Sequence, residues 1–342
     1  MKRDGITICG AYGLGNAGDE AILRAIVGQL HREHPERTIT VISAGKARTG
    51  LPGTQIIPRR YIWRWLHQLR RTKLFISGGG SLLQDISSRR SLLYYLYTIA
   101  AAHRRGAAVM LYSCGIGPLH RFGSCYMTKK VLNRCADSIT LRDRDSMEFL
   151  RRLGVRDALL HLAADPVFAE QAAPFEGGDK LGIVLRPWKQ PAENASVLAD
   201  AILRTARKYH LRPVFLCFGE GDREAAEQVM SLLPQEMRVL RDDADVSGCG
   251  LVISMRLHGL IFAANAALPC VGISYDPKVR GLCAEMDIPC ADVDALSADG
   301  LCSMADAAMS GTQPQRLQKL QLMKQRAQCS AEQAEALLAV GN

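Results

Sequence analysis

The chain lacks several patterns that would assign its class at once. It has no run of about 18 apolar residues, so no transmembrane helix is predicted. Residues 1–5 lead straight into an apolar run without the features of a signal peptide, and we expect no secretory leader. The patterns H-E-x-x-H, G-x-S-x-G and G-x-x-x-x-G-K-[ST] are absent, and no motif calls for a metal.

Paired cysteines are also missing. The 11 cysteines are scattered, and none forms a C-x-x-C pair. An odd number without regular spacing argues against a disulfide framework or a zinc site, so the expected compartment is the reducing cytoplasm. The 342 residues are 48% hydrophobic and 23% charged, which is typical of a globular protein of about two domains.

The charge balance is basic, with a formal net charge of +9. Such a balance favours anionic partners, namely nucleic acid, phosphorylated metabolites or a membrane surface. No basic-aromatic nucleic-acid module is recognisable, so no nucleic-acid partner is predicted. The sequence does not indicate an oligomeric state.

Short apolar runs alternate with longer helix-like patterns, which predicts an α/β fold with two Rossmann-like doubly wound domains. We predict a first domain over 1–170, a linker over 171–180, a second domain over 181–310 and a C-terminal helix within 311–342 that crosses back to the first domain. The predicted strands are 6–10, 38–43, 74–77, 109–113, 138–142 and 159–163, then 182–186, 214–218, 238–240, 251–254 and 270–274. The predicted helices are 19–33, 91–105, 126–136 and 146–153, then 194–209, 224–233, 259–267 and 314–339.

The stretch "GLGNAG" at 13–18 fits the G-x-G-x-x-G dinucleotide pattern, since it follows a strand and opens a helix. Asp19 and Glu20 would repel a pyrophosphate at that helix start, where carboxylates are well placed as N-terminal caps. The second strand ends without the acidic residue that NAD requires, although Lys46 and Arg48 suit an NADP phosphate. A structural turn and a glycine loop beside another ligand stay open as alternatives.

Two further glycine-rich loops follow predicted strands. They are "SGGGSLLQD" at 77–85, with Gly79 and Gly80, and "YSCGIGP" at 112–118, with Gly115. Glycine lets backbone approach backbone or ligand closely. Ligands of such sheets bind beyond the carboxyl ends of the strands, so three glycine loops along one edge predict an open cleft there.

Basic side chains stand at other strand ends. Arg142 in "LRDRDS" and Arg186 in "VLRPW" each place a guanidinium where it can bind a carboxylate or phosphate. For Arg142 the alternative is a surface pair with Asp145, and Ser146 suits a helix cap.

A buried strand delivers Arg256 and His258 to the start of a helix in "LVISMRLHGLIFAANA". Arginine supplies fixed charge, and histidine supplies a proton near neutral pH or a hydrogen bond to an anion. Lys278 in "ISYDPKV" enlarges the predicted cationic pocket.

The segment 59–73, "RRYIWRWLHQLRRTK", combines six basic residues with two tryptophans. Ile62, Trp65, Leu66 and Leu69 form one helical stripe. The segment is either an ordinary docked helix with a solvated basic face or a peripheral contact with the inner face of the membrane.

Taken together, "GNAGDEAIL", "SGGGSLLQD", "SCGIGP", "LRDRDS", "ADPVF", "SMRLHGLIFA" and "ISYDPKV" resemble, in order, the polysaccharide pyruvyl transferase family, and its CsaB-like branch in particular. The resemblance implies a GT-B-like fold with two domains facing a cleft. It implies phosphoenolpyruvate as the donor substrate, with no cofactor and no need for NAD. The implied acceptor is a β-linked N-acetylmannosamine of a lipid-diphosphate-linked precursor of a secondary cell-wall polymer, which receives pyruvate as a 4,6-ketal.

The resemblance also implies roles for particular residues. Arg142, Arg256 and His258 match residues at the phosphoenolpyruvate site, with His258 the strongest catalytic candidate, and Asp19 matches an acidic residue of the first loop. The remaining expected substrate-binding residues are Arg186, Lys278, Gly13, Gly15, Asn16, Gly79, Gly80 and Gly115. Which of His258 and Asp19 acts as acid or base stays open. The rival hypotheses are a GT-B glycosyltransferase that uses a nucleotide sugar and a non-catalytic anion-binding protein.

Overall fold

A computed structural model describes residues 3–45, 53–86, 88–171, 177–188 and 191–340. The chain divides into two compact units, one formed by Met1–Glu170 with Met323–Asn342 and the other by Gln171–Leu322. Lys46 and Arg48, considered above for a cofactor phosphate, lie outside the described residues, as does part of the predicted linker.

The first unit is built on a seven-stranded parallel sheet in the order β3-β2-β1-β4-β5-β6-β7. β2 and β3 lie on one side of β1, and β4 to β7 lie on the other. The gap between β1 and β4 is therefore the topological switch point, at which doubly wound folds bind ligands. The strands are β1 (Gly5–Cys9), β2 (Ile39–Ser43), β3 (Thr54–Pro58), β4 (Thr72–Gly78), β5 (Ala108–Cys114), β6 (Ser138–Leu141) and β7 (Leu160–Leu162).

Helices cover both faces of this sheet, which is why its central strands are apolar on both sides. The helices are α1 (Ala17–Glu33), α2 (Ile62–Gln68), α3 (Arg89–Arg104), α4 (Phe122–Cys135) and α5 (Arg144–Leu153). One core lies between the sheet and α2–α5, where Trp65, Phe75, Leu96 and Leu132 are completely or almost completely buried.

The second unit repeats the plan with a six-stranded parallel sheet in the order β10-β9-β8-β11-β12-β13. Its strands are β8 (Lys180–Val184), β9 (Arg212–Leu216), β10 (Leu240–Arg241), β11 (Cys249–Ser254), β12 (Cys270–Ser274) and β13 (Cys290–Asp292). Its helices are α6 (Pro191–Tyr209), α7 (Asp222–Met230), α8 (Leu257–Asn265), α9 (Pro277–Met286) and α10 (Ala298–Ser310). The switch point lies between β8 and β11.

The last helix, α11 (Gln313–Ala339), belongs in part to each unit. Near its start, Arg316 donates to the carbonyl oxygens of Ala267 at 2.9 Å and Gly311 at 2.7 Å. Nearer its end, the Ser330 hydroxyl lies 2.8 Å from the hydroxyl of Ser113, a residue of β5 in the first sheet. No helix in the described ranges is both long and apolar enough to cross a membrane.

Some predicted elements need correction. β3, β13, α9 and α10 are absent from the prediction, and the strand predicted over 238–240 starts two residues too early, since the observed strand is Leu240–Arg241. β3 was missed because it is an edge strand whose side chains are half-buried or exposed, which leaves no apolar run. The predicted linker 171–180 extends one residue too far, because Lys180 begins β8.

Candidate functional site

The first glycine loop closes onto the start of α1. Asn16 is the N-cap, and its side chain accepts a hydrogen bond from Gly18 N at 3.0 Å. Asp19 and Glu20 lie in the first turn, and Glu20 Oε1 accepts from Gly13 N at 2.5 Å. The N-cap is therefore Asn16 and not a carboxylate. Because the Glu20 carboxylate already accepts the hydrogen bond from Gly13 N, this loop is not suited to a dinucleotide pyrophosphate.

The second glycine loop packs against the same helix. A Cβ on Gly79 would lie 2.0 Å from Ile22 Cγ2, and the residue has a φ of +63°, so only glycine fits without strain. A Cβ on Gly80 would lie 3.0 Å from Asp19 Oδ1. The loops after β1 and β4 therefore meet at the Asp19 carboxylate. Gly15, by contrast, has open space around it.

The third glycine loop hydrogen-bonds along the second. Gly115 N donates to Gly80 O at 3.0 Å, and Gly117 N donates to Leu83 O at 2.8 Å. The two loops thus continue the pairing of β4 and β5 beyond the sheet. The expected grouping of Gly79, Gly80 and Gly115 with Asp19 is present at one edge of the first sheet.

Asp85 fixes the far end of this paired loop. Its buried carboxylate accepts hydrogen bonds from His120 N at 2.8 Å and Arg121 N at 3.1 Å. Burial raises the pKa of Asp85, but the donors from His120, Ser124 and Arg121 outweigh it, and the pKa is lowered.

Arg142 directly follows β6 and is only 8% exposed. Its Nη1 donates to Asp165 Oδ2 at 3.3 Å and its Nη2 to Ser81 Oγ at 3.1 Å. A Cβ on Gly115 would lie 3.0 Å from Nη2, so this glycine makes room for the guanidinium. The alternative of a surface pair with Asp145 is wrong, because the ion pair is buried and its partner is Asp165.

The start of α5 also differs from expectation. Asp143, not Ser146, is the N-cap and accepts from Ser146 N at 2.7 Å. The Ser146 hydroxyl instead accepts from Ile116 N at 2.9 Å, which ties the third glycine loop to α5.

In the second unit, Arg256 is held by a buried carboxylate. Arg256 Nε lies 3.1 Å from both oxygens of Asp222, which is 1% exposed. Asp222 in turn accepts from Phe218 N and Gly219 N, each at 3.0 Å. This ion pair joins the loop after β9 to the loop after β11 and fixes the direction of the guanidinium.

His258 lies in the first turn of α8, next to Arg256. The turn is set by Ser254, whose hydroxyl accepts from Arg256 N at 3.0 Å and donates to Arg256 O at 2.8 Å. The His258 ring lies 6.2 Å from the Phe262 ring, centroid to centroid. A Cβ on Gly259 would lie 2.3 Å from Ser254 Oγ, so a glycine is needed where α8 leaves the sheet.

Arg186 lies two residues after β8, and its Cζ is 4.1 Å from the centroid of the Tyr275 ring. This cation–π contact joins the loop after β8 to the loop after β12. The Nε of Arg186 is buried and has no hydrogen-bond partner among the described residues. Buried donors normally have an acceptor, so this one is suited to an anionic ligand.

Lys278 lies in the same loop region as Tyr275. Its Nζ is 3.3 Å from Asp276 Oδ2, and Asp276 caps α9 by accepting from Lys278 N at 3.0 Å. The second sheet therefore carries three basic side chains and His258 in its strand-end loops or in the first turns of the helices that follow, at the edge that the strand-end argument predicted.

No cluster of three or more histidine, cysteine, aspartate or glutamate side chains that would hold a metal ion occurs in the described part of the chain. A family model described as polysaccharide pyruvyl transferase matches residues 16–277. The chain belongs to the polysaccharide pyruvyl transferase family. The matched span includes Asp19, Arg142, Arg186, Arg256 and His258, whereas Gly13, Gly15 and Lys278 lie just outside it.

One characterised protein name can be set beside this chain, because the similarity covers most of both sequences. The amylovoran biosynthesis protein AmsJ of Erwinia amylovora is 21% identical over 375 residues, which cover 85% of this chain and 88% of AmsJ. Together with the family match, this similarity confirms the coarser part of the predicted function, a transferase of polysaccharide biosynthesis. The CsaB-like branch stays a prediction.

Solved structures support the fold class. Anabaena HepE in complex with UDP has a TM-score of 0.63 at 14% identity and covers 98% of this chain and 99% of its own. The UDP-GlcNAc 2-epimerase of Neisseria meningitidis, bound to UDP-GlcNAc, has a TM-score of 0.60 at 13% identity and covers 99% of this chain and 100% of its own. These similarities confirm the predicted GT-B-like fold class with two Rossmann-type domains.

The sequence patterns did not identify two aspartates that pair with arginines, Asp222 and Asp165, or Asp85, which accepts from backbone N–H groups. Asp165 lies in "ADPVF" and Asp222 in the glycine-rich "FGEGD" after β9. An aspartate in a strand-end loop was a usable signal, but its partner is not readable from the sequence because 34 residues separate Asp222 from Arg256.

Proposed function

We propose that this family member transfers the pyruvyl unit of phosphoenolpyruvate to a saccharide and releases inorganic phosphate. The proposed acceptor is a β-linked N-acetylmannosamine of a lipid-diphosphate-linked precursor, which receives a 4,6-ketal. The family match supports pyruvyl transfer. The observation that carries the donor assignment is the buried Nε of Arg186, which has no acceptor among the described residues, at an edge that also holds Arg256, His258 and Lys278.

The chemistry sets what the protein must supply. Protonation of phosphoenolpyruvate at C3 makes C2 electrophilic, and a sugar hydroxyl adds to C2 while losing its proton. The C–O bond to phosphate then breaks, and a second hydroxyl adds to C2 and gives its proton to the departing phosphate, which closes the ketal. No electrons are exchanged with a redox partner. The protein must neutralise the charges of a carboxylate and a phosphate, donate one proton and accept another.

The basic groups of the second unit are proposed to bind the donor. Arg256 is preorganised because the Asp222 carboxylate orients it, and the Arg186 guanidinium is held by its cation–π contact with the Tyr275 ring. Fixed donors stabilise developing charge without the cost of reorganising solvent. Lys278 adds a third positive charge and is only partly neutralised by Asp276 at 3.3 Å.

His258 is the proposed general acid or phosphate ligand, since it follows Arg256 by two residues in the first turn of α8. Asp19 is the proposed base for the sugar hydroxyl, in a setting of glycine loops that leave backbone accessible. Arg142 is kept as a candidate catalytic residue because it matches the family motif and is held rigidly by Asp165 and Ser81.

The proposal is tested by inorganic phosphate release from phosphoenolpyruvate, with and without a synthetic lipid-linked disaccharide that ends in N-acetylmannosamine. We expect release that depends on the acceptor. A matched acceptor in which the 4- and 6-hydroxyls are methylated controls for simple hydrolysis. Absence of release with every saccharide acceptor would contradict the proposal.

A second candidate is glycosyl transfer from a nucleotide sugar. It is favoured by the structural similarity to Anabaena HepE, whose structures contain UDP, although that similarity is one of fold. Turnover of a UDP-sugar without any response to phosphoenolpyruvate would select this candidate. A non-catalytic anion-binding role would instead show phosphoenolpyruvate binding without turnover.

A further inference from the structure

The positive charge of the chain is concentrated in one segment. Residues 37–136 contain 17 lysines and arginines and a single acidic residue, Asp85. The rest of the chain contains 26 lysines and arginines and 33 acidic residues, so it is net negative. Asp85 is buried and accepts from backbone N–H groups, so the described surface of this segment carries no acidic side chain.

Within this segment, large apolar side chains are exposed at the starts of three successive helices. Trp63 is 84% exposed and Ile62 47% exposed at the start of α2, Ile86 is 65% exposed just before α3, and Phe122 is 87% exposed at the start of α4. Isolated exposed apolar residues are common, but four close to the starts of three helices are a pattern.

These residues lie at the same edge of the first sheet. β3, β4 and β5 are parallel, and α2, α3 and α4 follow them in turn and pack on one core. Helices that follow parallel strands on one face begin at the carboxyl edge, so all three first turns lie along that edge. β4 and β5 are adjacent there, whereas β2 and β1 separate β3 from β4. This edge also carries the glycine loops described above.

Arginines surround the apolar tips. We define the basic-aromatic rim as these exposed residues at the three helix starts: Arg59, Arg60, Tyr61, Ile62, Trp63, Arg64, Ile86, Arg89, Arg90, Arg121 and Phe122. Arg60 and Arg64 lie over the Tyr61 ring at 4.9 and 5.7 Å. The rim contains no acidic side chain.

The anchoring of α2 explains why Trp63 is exposed. Trp65, two residues later, is completely buried, and its Nε1 donates to Arg59 O at 3.1 Å. Residues two apart on a helix point to different sides, so burial of Trp65 turns Trp63 outward. Ile62, predicted to share the buried stripe of Trp65, Leu66 and Leu69, is instead half exposed, which corrects that expectation.

We propose that the basic-aromatic rim docks onto an anionic lipid bilayer. Phosphate head groups complement the arginines, and Trp63, Ile62, Ile86 and Phe122 supply the apolar area that inserts below them. The occupant is a lipid surface because the apolar tips project from three separate helix starts and no acidic or hydrogen-bonding pattern specific to a peptide accompanies them. The inference does not depend on the reaction that the chain catalyses.

Vesicle co-sedimentation of the full chain tests the proposal. We expect binding to vesicles of phosphatidylglycerol and phosphatidylcholine in equal parts, weak binding to phosphatidylcholine alone, and a decrease with salt. Arg90→Glu with Arg121→Glu should weaken binding by at least about tenfold. The matched control is Arg104→Glu with Arg134→Glu, the same charge change on exposed arginines near the other ends of α3 and α4, which should weaken binding much less.

Apolar insertion is tested separately. Trp63→Ala with Phe122→Ala should weaken binding at high salt by about tenfold, whereas Leu317→Ala, an exposed leucine of α11, should not. Circular dichroism confirms that each variant is folded. Equal losses in the rim and control pairs, no binding to anionic vesicles, or tighter binding to a single-stranded oligonucleotide than to vesicles would each overturn the proposal.

Discussion

The loops at the carboxyl edges of the two sheets differ in the residues that shape them. In the first unit the loops after β1, β4 and β5 are shaped by glycine backbone, and Gly79 and Gly115 make room for Ile22 and Arg142. In the second unit the loops carry charged side chains that contact one another. Both edges also hold an arginine in an ion pair with a buried aspartate, so the difference lies in the close-packed glycine loops, which dominate the first edge.

The arginines show a second difference. Arg142 is the first residue after β6 and Arg256 the second residue after β11, and each is held by a buried aspartate from another loop. Arg186 has an aromatic ring beneath it and a buried Nε without a partner among the described residues. Two arginines are therefore oriented by acids, while the third keeps a buried donor without an acceptor among the described residues.

The largest expected effect comes from the second unit. His258→Ala should lower kcat for phosphate release from phosphoenolpyruvate by about 10²–10⁴-fold, because a general acid typically contributes that much. His103→Ala, at an exposed position near the end of α3, is the matched control and should be close to wild type. A His258→Ala enzyme with near wild-type kcat would remove this residue from the mechanism.

The ion pair of the second unit is the next target. Asp222→Ala should destabilise the protein by about 3–5 kcal/mol, because Arg256 would be left without its buried partner. The exposed pair Arg204–Asp200 gives the contrast, since Asp200→Ala should cost less than about 1 kcal/mol. Urea unfolding measures both values, and equal costs would contradict the assigned role of Asp222.

Two glycines of the first unit, Gly79 and Gly15, allow a matched pair of alanine substitutions. Gly79→Ala should cost about 2–4 kcal/mol of unfolding free energy, because a Cβ would collide with Ile22 and a positive φ is strained for alanine. Gly15→Ala has the strain without the collision and should cost about 1 kcal/mol. Similar costs for the two variants would show that close approach does not shape this edge.

The smallest effect depends on pH. The pKa of Asp85 is lowered in the folded protein, so its contribution to stability is present above the ordinary aspartate pKa of about 4 and is lost as the pH falls through the folded value. Asp85→Asn should therefore cost about 1–2 kcal/mol at pH 7 and progressively less below pH 4. A difference from wild type that does not change with pH would contradict this assignment.

Much of the architecture was readable because central parallel strands are continuous apolar runs. β12 was predicted with its observed bounds, Cys270–Ser274, and β1 lies within one residue of the prediction. β3 and β13 were not, because short edge strands bury less and leave a weaker apolar signal. Edge strands depend on the neighbour with which they pair, and that information is tertiary.

The candidate site divides in the same way. Arg256, His258 and Arg186 were found because strand ends bring their loops to one edge. Their partners were not, since Asp222 and Tyr275 reach them from loops after other strands. Asn16 was predicted to bind substrate, and the structure gives it a further role as the N-cap of α1. A capping residue and a ligand residue have the same short polar side chain, so the sequence does not separate the two roles.

Transfer of isotopic label tests the central proposal most directly. Phosphoenolpyruvate labelled with ¹³C at C2 is incubated with the full chain, the lipid-linked N-acetylmannosamine disaccharide and unlabelled UDP-sugars, and the saccharide is analysed by NMR. The account predicts a labelled quaternary ketal carbon in the saccharide and release of one phosphate for each label transferred. A saccharide that carries no label, and that instead gains a sugar residue from the UDP-sugar, would contradict it.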